Sequence, residues 1–170
     1  MKLKTHELCV LSLFGSIMFL SKLLMEALPN IHLIAMFIVL VTLLFRWKAL
    51  VAVYTFVFLT GIYGGFSAWW IPYLYIWALL WGAAMLIPKN MSRTATAAVC
   101  TVVCGLHGFL FGILWAPSQI PLCGLSLKEM WLWILVGLPS DIVHGISNVC
   151  ASLLIIPLYI PLKKALNRAN

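Results

Sequence analysis

The longest uncharged stretch of the chain occupies positions 49–88, where apolar residues follow one another without the alternation of a barrel strand. As helix it would measure about 60 Å at 1.5 Å per residue, enough to cross a hydrocarbon core of about 30 Å twice. Gly61, Gly64, Gly65 and Ser67 mark the turn between those crossings. The same reading along the chain predicts six transmembrane helices, over 8–28, 31–45, 49–66, 69–87, 94–115 and 130–162. Backbone in lipid must satisfy its own hydrogen bonds, which is why unbroken apolar runs read as helices. The second span is short. The last is longer than a bilayer requires, and Gly137-Leu-Pro139 can divide it into an outer piece bearing Trp131 and Trp133 and a true span.

Composition sharpens this pattern. Hydrophobic residues make up 64% of the chain, charged residues 9%, and the mean hydropathy is +1.09. Soluble domains are about 45–50% apolar and about 25% charged, so a water-soluble fold is excluded. The chain reads as one all-α integral membrane domain, 1–170. Lys2, Lys4, Arg46, Lys48, Lys89, Arg93, Lys163, Lys164 and Arg168 fall on one side of the predicted spans. Only Lys128 falls on the other, and Lys22 lies within a span. That asymmetry puts both termini in the cytoplasm. It also accounts for the net charge of +7, which carries no nucleic-acid reading. Lys22 and Glu26 interrupt the end of the first span, and no small-residue cleavage site follows, so that span is expected to be retained rather than cleaved as a signal peptide.

Chemistry is sparse. The five cysteines form no CxxC pair, and Cys100 and Cys104, on one helix face, read as packing. The chain has no Walker loop, HExxH or GxSxG motif, so neither ATP hydrolysis nor a catalytic constellation is expected of it. Ionisable groups inside a membrane are costly and are functional candidates by default. Here they are Lys22 and Glu26 in the first span, His107 in the fifth, and Asp141 and His144, which share a face with Asn148 in the sixth. The bland alternative is that Asp141 pairs with Lys22 and that the polar face is interhelical glue. Most of the tryptophans and tyrosines suit a membrane-interface belt, although Tyr73 and Trp77 could instead wall a pocket. Ser12/Ser16, Gly61/Gly65 and Gly108/Gly112 are small residues four apart, a spacing that lets helices approach closely; for Gly108/Gly112 packing within the chain is favoured.

Six spans in under 200 residues, small residues four apart in the first helix, and polar groups toward the outside resemble the substrate-binding S components of energy-coupling factor (ECF) transporters. The stretch "LSLFGSIMFLSKLLMEALPNIHL" looks like the opening of S components from Gram-positive bacteria, and "WWIPYLYIW", "CGLHGFLFG" and "GLPSDIVHGISN" look like their later blocks. The resemblance implies an S-component-like bundle in a bacterial cell membrane that captures a vitamin-like small molecule from outside. Its partners would be a transmembrane subunit, docked through Ser12, Gly15 and Ser16, and two ATPase subunits that bind the ATP and Mg. No cofactor is expected in this chain, and although the family's cavities close over a vitamin or a metal, no metal site is expected here. The ligand would meet Lys22, Glu26, Asn30, His32, Trp70, Tyr73, His107, Gln119, Asp141, His144 and Asn148, and Asp141→Asn would abolish binding without unfolding the protein. The alternatives are a structural scaffold of MreD-like outline, a membrane enzyme using Asp141 and His144, and an ion-coupled carrier. Three histidines and an aspartate could bind a metal, but no compact spacing such as HxxxH supports one.

Overall fold

The structure is a computed structural model describing residues 3–169; Lys2, grouped above with the basic residues, lies outside them. It is all-α among the described residues. The helices are α1 (Thr5–Leu24), α2 (Ile34–Phe45), α3 (Leu50–Gly64), α4 (Tyr73–Met85), α5 (Arg93–Phe109), α6 (Phe111–Cys123), α7 (Leu127–Ser152) and α8 (Ile155–Ala169). By length and composition, four stretches could each cross a membrane: Thr5–Leu24, Ile34–Gly64, Arg93–Cys123 and Leu127–Ser152. The protein is a multi-pass membrane protein of helices.

The second of those stretches is folded back on itself. Arg46 has φ 55°, a value that costs a non-glycine residue, and one 3-10 turn (Arg46–Ala49) follows it. Trp77 touches both His32, just before α2, and Phe56, midway along α3, which requires the reversal. The Arg46 guanidinium fixes the turn by donating to the carbonyls of Ile87, at 3.2 Å, and Met85, while its own carbonyl accepts from Trp81 at 3.3 Å. α2 and α3 therefore form a hairpin beside α1. Phe14 of α1 meets Phe45, and Gly15 lies so close to α3 that a Cβ there would come within 2.6 Å of the Ala52 carbonyl.

α4 starts later than the predicted fourth span. Gly65, at φ 84°, ends α3, and the following segment folds back along it through a 3-10 turn, Ala68–Trp70. Trp70 donates its indole N–H to the Val57 carbonyl at 2.8 Å and packs over Gly61, so α4 begins beside the middle of α3. At 13 residues, α4 is about 20 Å long.

The last two predicted spans also differ. The fifth does not stop at Trp115: α5 breaks at Leu110, and α6 then continues through Pro117 and Pro121 to Cys123. The sixth is not divided at Gly137–Pro139. α7 runs through Pro139 to Ser152, and the break comes at Leu153–Leu154. Pro157 contributes to it: with no N–H, it cannot donate to the Leu153 carbonyl in the junction, and proline is tolerated in the first turn of α8.

α7 packs antiparallel on α5 and α6 with a regular register. Ser152 donates to Thr101 at 2.8 Å, Asn148 to the Cys104 carbonyl at 3.2 Å, Gly145 faces Gly108, and Asp141 faces Gly112. A Cβ on Gly108 would lie 2.7 Å from the Gly145 Cα, so Gly108 and Gly112 do serve packing within the chain. At the other end, Arg46, Lys48, Lys89, Arg93, Lys163, Lys164 and Arg168 line one open bowl, where Lys48 pairs with Glu7 of α1. The segregation of basic residues read from the sequence is thus a property of the fold.

Candidate functional site

The polar core lies at the helix ends away from the bowl. α2 ends at Arg46 and α5 begins at Arg93, both in the bowl; His32 precedes the far end of α2, and His107 sits near the far end of α5. His144 comes from α7, Trp77 from α4, and Phe111 opens α6. The rings form one continuous cluster. The centroids of His32 and His144 are 4.6 Å apart, as are those of Phe111 and His144. Trp77 lies 5.4 Å from His107, 5.7 Å from Phe111 and 6.0 Å from His32. Tyr73 extends the cluster outward, 5.6 Å from Trp77 and 5.5 Å from Trp115.

Hydrogen bonding makes this cluster distinctive. Among the described residues, five buried side-chain polar atoms have no partner: His32 Nδ1, Trp77 Nε1, His107 Nδ1, His144 Nε2 and Asn148 Oδ1. Each such atom costs about 1–3 kcal/mol. Native proteins keep these groups few, and each calls for an explanation. Four of the five belong to the ring cluster, and Asn148 is one helical turn from His144. The roles of two atoms follow from their neighbours. His107 Nε2 lies 3.3 Å from the Ile76 carbonyl and must carry the ring proton to bond it, which leaves Nδ1 as an acceptor. Asn148 uses its amide N–H on the Cys104 carbonyl, so its Oδ1 is a second acceptor. The Trp77 N–H can only donate. Among the described residues no three His, Cys, Asp or Glu side chains group closely enough to hold a metal ion.

Asp141 has a different occupation. The break at Leu110 opens a new helix N-terminus at α6, and both carboxylate oxygens of Asp141 accept from the Gly112 N–H, at 3.1 and 3.0 Å. Helix N-termini leave such donors unpaired and favour negative charge, so Asp141 caps α6 from a neighbouring helix. Gly112 makes room for it, since a Cβ there would lie 2.4 Å from Oδ2. Asp141 does not pair with Lys22. Among the described residues the ion pair is Lys48–Glu7.

Of the residues read from the sequence as ligand contacts, the fold brings together His32, His107, His144 and Asn148, with Tyr73 at the edge. Trp70 anchors the segment after α3. Lys22 is half-buried near the end of α1, Glu26 is exposed and accepts from the Tyr63 hydroxyl at 3.4 Å, and Asn30 is exposed in a positive-φ turn. Gln119 donates to Ser118 at 3.1 Å on α6. None of these four side chains belongs to the ring cluster. Of the docking residues, Gly15 is spent against α3, while Ser12 and Ser16 are half-buried, with the Ser16 hydroxyl on the Ser12 carbonyl at 3.0 Å. Phe111 went unread as a site residue, although it stands four positions after His107 in the sequence. Comparison with known proteins adds no relative: no family model, curated protein or solved structure matches the chain. What the fold and the site define is a class, a multi-pass helical membrane protein with a buried imidazole–indole cluster whose hydrogen bonds are incomplete.

Proposed function

We propose that the chain is the substrate-binding S component of an ECF-type importer in a bacterial cell membrane. It would take up a small molecule from outside and pass it on through a transmembrane subunit and two ATPases, which alone bind ATP and Mg. The observation that carries this reading is the gathering of unpartnered polar atoms at one point in an otherwise apolar bundle. Structural glue satisfies its own hydrogen bonds, whereas a binding site keeps some for its ligand. The remaining points of support are topological. A reversal at Arg46 and antiparallel packing of α7 on α5 and α6 suit six crossings with both termini at the basic, cytoplasmic end, and the ring cluster then falls in the outer half. An apolar stripe along α1, with Leu13, Ile17, Leu20 and Leu24 exposed, is a surface on which a transmembrane partner could dock beside Ser12 and Ser16.

The chemistry of the cluster narrows the ligand. Indole and phenyl walls favour a planar ring, two fixed acceptors ask for N–H or O–H groups, and the Trp77 N–H asks for one acceptor. Asp141 is held at the α6 N-terminus by Gly112 and is not one of the open polar atoms of the cluster. A neutral heterocycle bearing N–H donors fits best. The test is mass spectrometry of small molecules released when the detergent-purified protein is denatured. A single stoichiometric compound of that kind, together with co-purifying ATPase subunits, is the expected outcome. Protein that carries no small molecule and co-purifies with cell-wall or cytoskeletal partners would overturn the reading in favour of the scaffold.

A further inference from the structure

The basic end carries a second site with its own chemistry, independent of the importer reading. Its bowl encloses about 1050 Å³ between the α2–α3 turn, the start of α5 and the exposed face of α8. Among the described residues, seven cationic side chains line it against one carboxylate, Glu7, and Lys48 already neutralises that carboxylate. Arg46 is held by two backbone carbonyls and is part of the wall. Lys89, Arg93, Lys164 and Arg168 are exposed, and none makes an ion pair or side-chain hydrogen bond within the described residues. Cations facing one concavity repel one another, a cost that an anion bound among them would reverse.

The rest of the lining is apolar. Leu43, Leu44, Ile87 and Ile156 form wall between the cations. α8 divides its surface in the same sense: Ile155 is buried and Tyr159, Leu162 and Leu166 are partly so, while Lys163, Lys164 and Arg168 stay exposed. An amphipathic basic helix of this kind lies in the membrane interface rather than across the bilayer. A soluble phosphate would use the cations and leave the apolar wall without a role. A lipid uses both, because basic pockets between helices at the cytoplasmic face suit multiply charged headgroups. We infer that the bowl is a binding site for a phospholipid whose headgroup carries two or more negative charges, held between the Lys89–Arg93 turn and the Lys164–Arg168 turn of α8.

The experiment is native mass spectrometry of the full chain in detergent, titrated with cardiolipin, with phosphatidylcholine, or with inorganic pyrophosphate. The expected result is one tightly held cardiolipin per chain and no comparable phosphatidylcholine adduct. Each near-surface cation is worth about fivefold in affinity for anionic lipid, so a variant combining Lys89→Gln, Arg93→Gln, Lys164→Gln and Arg168→Gln should bind cardiolipin at least about a hundredfold more weakly. A second variant exchanging lysine and arginine at those positions keeps every charge and should bind as the wild type does. Because all four side chains are exposed and unbonded, neither variant should melt below the wild type when lipid is absent. Equal retention of the two lipids, or full retention by the glutamine variant, would overturn the inference. Pyrophosphate binding as tightly as cardiolipin would overturn the lipid and leave a soluble phosphate site.

Discussion

Asp141 and His144 stand three residues apart on the same face of α7, both buried, and their surroundings treat them in opposite ways. Asp141 has a donor waiting: the N–H of Gly112, exposed because the helix breaks at Leu110. His144 has rings on two sides, Phe111 and His32, and an Nε2 that bonds to nothing among the described residues. A costly polar group in a membrane is thus no single kind of evidence. Where its hydrogen bonds close within the fold, it holds helices together; where they stay open, it points to a ligand. The sequence expectation that Asp141→Asn would abolish binding treated the pair as one site.

The largest effect should come from breaking the closed member of the pair. Asp141→Leu leaves the Gly112 N–H buried without an acceptor, which should cost about 2–3 kcal/mol. The measurement is thermal unfolding in detergent, and the variant should melt well below the wild type. Asp141→Asn keeps a side-chain oxygen in reach of Gly112 and should lose less than half as much. Equal stability of all three proteins would show that the cap is idle.

The open member should respond with the opposite sign. His144→Phe replaces an unpartnered imidazole by a ring of similar size between Phe111 and His32. Removing a buried polar group that lacks a partner is neutral or favourable, so the ligand-free protein should gain about 1 kcal/mol. The same variant should lose retention of the small molecule that the wild type carries through purification. A stability gain joined to a binding loss separates a ligand site from interhelical glue, because glue would lose stability.

Much of this architecture is legible in the chain, and the illegible parts share a cause. Charge placement located the reversal at Arg46–Lys48 and the gathering of basic residues, because both depend on side chains whose cost in lipid is large. Small residues at Gly108 and Gly112 marked the close approach of α5 and α6 to α7. Four of the eleven expected ligand contacts converge, and all four are imidazole or amide side chains, three of them within helices and His32 just before α2. Lys22 stands in the last turn of α1, and Glu26 and Asn30 belong to the α1–α2 connection, whose path no periodicity fixes. The partner of Asp141 could not be read, because a backbone N–H carries no residue type, and Gly112 alone hinted at it. Proline misled for a similar reason. Pro139 and Pro157 look alike in sequence, yet α7 runs through the first, while the second stands in the first turn of α8, just past the break.

The smallest of these effects tests whether the segment after α3 belongs with the closed contacts or the open ones. Trp70 is the hinge of the question: its indole N–H donates to the Val57 carbonyl, and its ring packs on Phe66 at 5.0 Å over Gly61. Trp70→Phe keeps most of the ring contact and removes one neutral hydrogen bond, which is worth about 0.5–1.5 kcal/mol. If the segment is framework, melting should fall by that amount and ligand retention should stay unchanged. Exchange of the bound molecule that quickens while the ligand-free protein melts as before would place the segment with the open site instead. The hydrogen bond to Val57 would then be the latch between the ring cluster and the outside, and Gly65, at φ 84°, the pivot on which the segment turns.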